Sequence, residues 1–293
     1  PALLAALACP DTELSRQAAG LCATVPGADA PAKLVALYPT LPLATRVALL
    51  AALAERTAVE ALPVALQELT SEDATLRATA IRAAAAVGGS RAVQPLAKVI
   101  AGGERGDQQL ARACLAAIPG KDVDAAVLDL ARKEAPEVRA GLMGAVADRD
   151  IPEAPAFLLE MARDTETSVA VEAAKALGRV AGPAHYAAIV KTLLESREEG
   201  VRQALHESLA ASAHRLGQAD AAAEPVLAAL PAASADDKSA LIDLLAALGG
   251  EKALAEVTRA TASDDLEVRR TAVQALADGC DDARALPILL NVA

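Results

Sequence analysis

The chain has 293 residues, of which 54% are apolar, and a formal net charge of −11 at pH 7. Nucleic-acid binding depends on clustered Lys and Arg that displace counterions from phosphates, so the acidic balance argues against a nucleic-acid partner and against an anionic membrane surface. No apolar run is long enough for membrane insertion, because the nearest, residues 41–55, is interrupted by Arg46.

A motif built on an acidic residue, Val-Arg and Ala-Leu returns along the chain. The clearest copies are residues 71–88, 134–150 and 264–279, with looser copies at 165–182 and 198–211. The apolar residue at or near each Arg serves as an anchor, at positions 14, 45, 76, 110, 138, 169, 201, 240 and 268. From 14 to 268 there are 254 residues in eight steps, or about 32 per step, a period typical of a stacked solenoid.

Each repeat is predicted to contain two helices. The first helix is seen at 92–102, 125–133 and 285–293, where apolar residues spaced by three and four define one helical face. Proline suits a first helical turn, where its missing N–H has no intrahelical partner. The prolines expected near the start of this first helix are Pro63, Pro95, Pro155, Pro225 and Pro287.

The second helix of each repeat follows an acidic or Ser/Thr stretch, as at 71–73, 164–167, 234–237 and 263–265. Such side chains cap the free N–H groups of a helix and suit the positive end of its dipole. Glycines are expected at or just past its end, where left-handed backbone is needed, at Gly88, Gly178, Gly249 and Gly279.

No segment alternates with period two, so we expect no sheet. The sequence predicts an all-α, right-handed α-solenoid of about nine helical hairpins plus one unpaired terminal helix at 285–293, in a single array over residues 1–293. Neither end has a polar cap, so we expect a segment of a longer polypeptide. Residues 102–109 and 210–225 are expected to lengthen two connections.

These features resemble the HEAT-repeat family, especially its short bacterial variety of repeats that is named for phycobilisome lyases. The residues that carry the resemblance are the pairs Asp73/Arg77, Glu198/Arg202 and Asp265/Arg269, together with the Ala-Leu-Gly endings at 176–178 and 247–249. The resemblance spans essentially the whole chain and implies a scaffolding or binding protein. It leaves the compartment open, cytoplasmic or extracytoplasmic, because similar arrays occur in exported bacterial proteins.

In HEAT proteins the acidic and Arg positions form a ladder between neighbouring repeats. The resemblance therefore implies a structural role for the ladder residues Arg46, Arg77, Arg139, Arg202 and Arg269. The alternative is that these arginines line the concave face and hold an acidic partner, since Arg is favoured in interface hot spots.

Some proteins of the HEAT-repeat family are enzymes. Deoxyhypusine hydroxylases of this fold bind two irons through several His-Glu pairs, whereas this chain has one such pair, His206-Glu207, and three histidines in all. A bilin lyase needs a groove for a large tetrapyrrole, which three scattered aromatic residues line poorly. We expect no catalytic residue, cofactor or metal; a bilin-lyase-like or metal-dependent HEAT protein is the alternative.

The expected function is non-enzymatic: a protein or peptide, or flanking domains of the same polypeptide, docks on an extended concave surface lined by the second helices. The predicted concave residues are Gln17, Thr79, Arg82, Glu172, Lys175, Asp243, Thr271 and Gln274. The spacing of Cys9 and Cys22 leaves open whether they form a disulfide.

Overall fold

The computed structural model describes residues 2–278, and every regular element within them is helical. Eighteen α-helices alternate between the two kinds that the sequence predicts, called here first-type and second-type helices. They divide between two compact units, Pro1–Arg149 and Asp150–Ala293. Nine helical hairpins and an all-α fold are thereby confirmed for the described part of the chain.

In the first unit each first-type helix is followed by its second-type partner. The first-type helices are α1 (Ala2–Leu7), α3 (Ala30–Leu37), α5 (Leu62–Glu68), α7 (Val93–Gly102) and α9 (Lys121–Lys133). The second-type helices are α2 (Thr12–Leu21), α4 (Leu43–Glu55), α6 (Ala74–Gly88), α8 (Arg105–Ala117) and α10 (Pro136–Asp148). Helices α2, α4, α6 and α8 pack side by side, and α10 packs on α7, α8 and α9.

The second unit repeats this plan with four hairpins. Its first-type helices are α11 (Ala154–Met161), α13 (Pro183–Glu195), α15 (Ala219–Ala229) and α17 (Glu251–Ala260). Its second-type helices are α12 (Thr167–Val180), α14 (Glu199–Leu216), α16 (Ala235–Leu248) and α18 (Leu266–Asp278). Helix α14 packs between α12 and α16, and α18 packs on α16. A row of second-type helices thus forms one side of this unit.

Polar side chains start several second-type helices, as the sequence predicts. Asp73 accepts a hydrogen bond from the N–H of Leu76 at 2.8 Å, and Asp11 caps α2 in the same way. Ser234 accepts from the N–H of Asp237 at 3.2 Å. Each such cap stabilises its helix by about 1 kcal/mol.

The second-type helices begin at nearly constant intervals. The first six begin at residues 12, 43, 74, 105, 136 and 167, which are 31 residues apart. The next three begin at 199, 235 and 266, so only the step into α16 is clearly longer. The prediction of a lengthened connection at 210–225 is wrong, because only Gly217, in left-handed conformation, and Gln218 separate α14 from α15. The longer step into α16 arises instead from α14 itself, which extends over 18 residues. The prediction for 102–109 is wrong, since two residues connect α7 to α8.

Two predictions about helix ends also need correction. Pro225 lies inside α15 rather than in its first turn, because that helix already begins at Ala219. Gly178 lies inside α12, where a Cβ atom would stand 3.2 Å from the Cα of Ser208 on α14. The glycine is therefore needed for close helix packing and does not end the helix.

The core is built of Ala and Leu, with all three aromatic side chains, Tyr38, Phe157 and Tyr186, buried in it. Cys9, Cys22 and Cys114 are free thiols. No helix within residues 2–278 combines the length and apolar character that a bilayer crossing demands. The predicted terminal helix at 285–293, together with the positions of Gly279 and Pro287, lies outside the described residues. The right-handed sense and the single array over 1–293 stay predictions.

Candidate binding surfaces

The eight predicted concave residues occupy equivalent places in their helices. Each is the sixth or the ninth residue of a second-type helix, and none of them is buried. In the first unit these residues are Gln17 on α2 and Thr79 and Arg82 on α6. Helix α4 lies between α2 and α6 and carries alanine at both positions, so Gln17 stands apart from the other two.

In the second unit the predicted residues lie on adjacent helices. Glu172 and Lys175 are on α12, Asp243 is on α16, and Thr271 and Gln274 are on α18. The exposed sixth and ninth positions of α12, α14, α16 and α18 are called here the second-helix face. Helix α14 adds a residue that sequence reasoning missed: Glu207, its ninth residue, is exposed and accepts a hydrogen bond from Gln203 at 2.7 Å. Its equivalent helix position was the available signal.

Charges on the second-helix face are paired along and between its helices. Lys175 Nζ lies 2.8 Å from Glu172 Oε1 within α12. His206 Nε2 on α14 lies 3.2 Å from Asp243 Oδ2 on α16. The nearby His206 imidazole lowers the pKa of the Asp243 carboxyl, and burial only partly opposes this. Exposed pairs such as Lys175–Glu172 are worth at most about 1 kcal/mol, so replacing one by another polar contact costs little.

The three histidines stand in three separate places. His206 faces Asp243, whereas His185 accepts a hydrogen bond from the Gly182 N–H at 3.3 Å. His214 Nε2 lies 3.3 Å from the carbonyl oxygen of Leu248. No group of three or more His, Cys, Asp or Glu residues suited to holding a metal ion occurs in the part of the chain that the structure describes.

The five ladder residues are all the fourth residue of a second-type helix. Arg77 and Arg202 connect neighbouring hairpins, because Arg77 Nε lies 2.7 Å from Asp107 Oδ2 and Arg202 Nη2 lies 2.9 Å from Asp237 Oδ1. Both arginines also donate to a serine carbonyl six residues earlier, in the loop of their own hairpin. Each guanidinium therefore holds its own loop and the next second-type helix together.

The other ladder residues make different contacts. Arg269 donates to the Ser263 carbonyl at 2.7 Å, the same contact six residues back. Arg46 Nη1 lies 3.1 Å from Glu68 on α5, and Arg139 donates to the Ala131 carbonyl at 3.4 Å. Whether these arginines serve stability alone or also hold a partner stays a prediction.

Asp107 and Asp237 are both the third residue of their helices, and this defines a recurring contact. The fourth residue of one second-type helix meets the third residue of the next, and we call this the stack contact. In the first step, Ser15 and Thr45 make it through a buried hydroxyl pair at 2.7 Å. The stack contact thus accepts either two hydroxyls or an arginine and an aspartate.

A second row of basic residues, missed from the sequence, lies at the carboxyl ends of the second-type helices. Arg56, Arg149 and Arg215 each donate to a carbonyl at the end of the preceding hairpin, for example Arg149 Nη1 to Leu115 O at 2.5 Å. Cations complement the negative end of a helix dipole. Arg56 and Arg149 each directly follow their helix, and that shared position was the available signal.

Clefts open where the loop of one hairpin meets that of the next. Cleft one, about 600 Å³, lies between the last two described hairpins and is lined by residues from Leu227 to Val268. Cleft two, about 520 Å³, lies between the hairpins of α5 and α7 and includes the ladder pair Arg77 and Asp107. Both clefts combine aliphatic walls with a few charged side chains, as small binding sites commonly do.

Comparisons with known proteins agree with this architecture. Residues 123–210 match the family described as HEAT repeats. The structure of Kap121p bound to Pho4p is similar at 12% identity and a TM-score of 0.51, covering 99% of this chain and 39% of that one. The chain therefore spans about two fifths of Kap121p. No curated protein matches the sequence.

Two enzymes are among the similar structures. The CpcE–CpcF complex of phycocyanin lyase from Nostoc sp. PCC7120 has 17% identity and a TM-score of 0.37, covering 69% of this chain and 91% of that one. Human deoxyhypusine hydroxylase has 18% identity and a TM-score of 0.33, covering 73% and 85%. At these scores neither likeness bears on activity.

Proposed function

The chain is a HEAT-repeat protein, and from that premise we propose that it is a non-enzymatic protein-binding scaffold. The proposed docking site is the second-helix face of the second unit. The observation that carries the proposal is the placement of Glu172, Lys175, Glu207, Asp243 and Gln274 at equivalent positions of adjacent, packed helices. Such a row presents regularly spaced polar groups to one extended partner.

The composition of the face indicates the kind of partner. Acidic and basic groups both occur on it, and Ala240 at the sixth position of α16 leaves room for a partner's backbone. The aromatic side chains are buried and cannot serve as anchors. We therefore expect a protein or peptide held by many polar contacts, with modest affinity for the area that it covers.

The likeness to Kap121p supports the proposal in one respect. That protein has a similar fold and was determined bound to Pho4p, so a chain of this architecture does hold a protein. The sequence identity is too low to transfer the partner or its site.

Site-specific photo-crosslinking in the source organism tests the proposal. A benzophenone amino acid is placed at Lys175, Glu207 or Gln274 on the second-helix face, one position per variant. Matched controls carry it at exposed first-type positions of the same unit, Lys191 and Glu224. We expect one shared crosslinked protein from the face positions and none from the controls. Crosslinks at the control positions alone, or at neither set, would contradict the proposal.

A further inference from the structure

One stack contact of the second unit lacks its acidic member. Between α14 and α16 the contact joins Arg202 to Asp237. In the next step, from α16 to α18, the fourth residue is Lys238 and the third residue is Val268. Lys238 therefore occupies the fourth position of its helix, as the ladder arginines do, but the residue opposite it is the apolar Val268 and not a carboxylate.

Lys238 has no partner for its charge among residues 2–278. Its side chain is half-buried, and its Nζ forms neither an ion pair nor a hydrogen bond with any described group. A partly desolvated ammonium without a counter-charge is unfavourable, and an arriving carboxylate relieves that cost.

Lys238 lines cleft one together with a group of aliphatic residues. Ile242, Val268 and Leu230 are buried residues that line it, and Leu227 and Pro231 contribute further apolar surface. A volume of about 600 Å³ accommodates several aliphatic side chains of a peptide. Apolar area that such side chains remove from water stabilises their binding.

The other charges of cleft one decide which ligand it favours. Glu256 is held by Arg259 at 2.6 Å, so that pair is satisfied internally. Asp264 is exposed and forms no ion pair with Lys238, and water screens its charge. The unsatisfied feature is therefore a cation beside an aliphatic wall.

We propose that cleft one binds a short segment of a partner protein in which an Asp or Glu stands next to an aliphatic residue. The carboxylate takes the place beside Lys238 that Asp107 and Asp237 take beside Arg77 and Arg202. The aliphatic side chain packs against Ile242 and Val268. This site lies at the hairpin loops and is separate from the second-helix face, so either proposal can fail alone.

Cleft two provides an internal comparison. It is similar in size and also aliphatic, but its ladder arginine, Arg77, is already bonded to Asp107 at 2.7 Å and to Glu104 at 2.9 Å. Its other cation, Lys98, is exposed and stays hydrated. A peptide carboxylate therefore gains less in cleft two than beside Lys238.

The test is a methyl NMR titration of the full chain, with the Ile242 methyl group as the reporter. The probes are the blocked peptides acetyl-Ala-Leu-Glu-Leu-Ala-amide and its Gln counterpart. We expect the Glu peptide to shift the Ile242 signal and to bind about tenfold more tightly than the Gln peptide, the contribution of one charge-assisted hydrogen bond. Equal affinity of the two peptides would overturn the proposal.

Three variants sharpen the result. Lys238→Gln should reduce the affinity for the Glu peptide to that for the Gln peptide, and Asp264→Asn should leave it unchanged or raise it. Val268→Asp supplies the missing internal carboxylate and should abolish the preference for Glu. Because Lys238 is only half-buried, Lys238→Gln is expected to fold, so it decides the matter if Val268→Asp does not. Unchanged affinity in Lys238→Gln, or shifts confined to cleft two, would refute the site.

Discussion

Replacing Arg149 by methionine should destabilise the first unit strongly. The side chain is 5% exposed and makes three hydrogen bonds. Its Nε and Nη2 donate to Asp124 Oδ1 at 2.8 and 2.6 Å, and its Nη1 donates to the Leu115 carbonyl at 2.5 Å. These contacts join the end of α10 to α9 and to the end of α8. Methionine keeps much of the apolar stem and removes every donor.

The loss of stability follows from the unpaired carboxylate of Asp124 that the substitution leaves in place. Breaking a buried ion pair by removing one partner costs about 3–5 kcal/mol. Asp124 is 30% exposed and regains some water, so the low end, about 3 kcal/mol, applies. For a protein of this size, roughly 2–4 °C of melting temperature are lost per kcal/mol, which gives a decrease of about 6–12 °C.

The assay is urea unfolding followed by helical circular dichroism, combined with hydrogen exchange of peptides that cover residues 105–149. Lys133→Met is the matched control in the same unit, because its pair with Asp129 is 70% and 57% exposed. It should cost less than about 1 kcal/mol. If Arg149→Met costs no more than Lys133→Met, the basic row at the helix ends is not a source of stability.

Three further predictions concern single side chains. Gly178→Leu should destabilise the second unit by about 1–3 kcal/mol, because even a Cβ would stand 3.2 Å from the Ser208 backbone. Gly20→Ala should instead stabilise the first unit, because the space around this position of α2 is open and alanine favours helix. Chemical denaturation checks both variants. The pKa of Asp243 is lowered in the folded protein. The stability that Asp243 confers relative to Asp243→Asn should therefore be present above the unfolded pKa of about 4 and be lost as the pH falls through the folded pKa. A series of unfolding measurements from pH 2.5 to 6 checks this. Burial raises the pKa of the Cys22 and Cys114 thiols, so at pH 7.5 both should react with iodoacetamide more slowly than in urea-unfolded protein, and equal rates by peptide mass analysis would contradict this.

The helical repeat was predictable from the sequence because its signals are local. Capping residues, apolar spacing of three and four, and the recurring Val-Arg mark each second-type helix. Seven of the nine predicted anchors coincide with the third residue of such a helix. The starting residues of those helices show that the repeat spacing is more regular than the spacing of the anchors.

The two misplaced anchors, at 110 and 240, have one physical cause. The third residue of α8 and α16 is an aspartate, Asp107 and Asp237, so a search for an apolar residue moves three positions onward to the next turn. Each aspartate is tolerated there because an arginine of the preceding hairpin neutralises it. The displaced anchor at 110 also produced the wrong prediction of a lengthened connection at 102–109. The repeat pattern considers one position at a time, so it does not include Arg77, which neutralises Asp107 from 30 residues earlier.

The candidate surfaces were only partly predictable. The sixth and ninth positions follow from helical geometry, which is why all eight predicted residues are unburied. Sequence position alone did not reveal the contact of His206 with Asp243 or the missing counter-charge of Lys238, because each depends on which residue the next hairpin presents. Only the packing of neighbouring hairpins in the structure shows which residues meet.

The regular stacking of second-type helices, on which every proposed surface depends, is tested most directly by a designed crosslink. Ser15 and Thr45 make the first stack contact at 2.7 Å, so Ser15→Cys and Thr45→Cys, in a chain whose four native cysteines are replaced by serine, should form an intramolecular disulfide under mild oxidation. Peptide mass mapping should show residues 15 and 45 joined, and the oxidised protein should melt at a higher temperature than the reduced one. Failure to form this bond, while a control pair at Ser15 and Val47 does form one, would contradict the stacking described here.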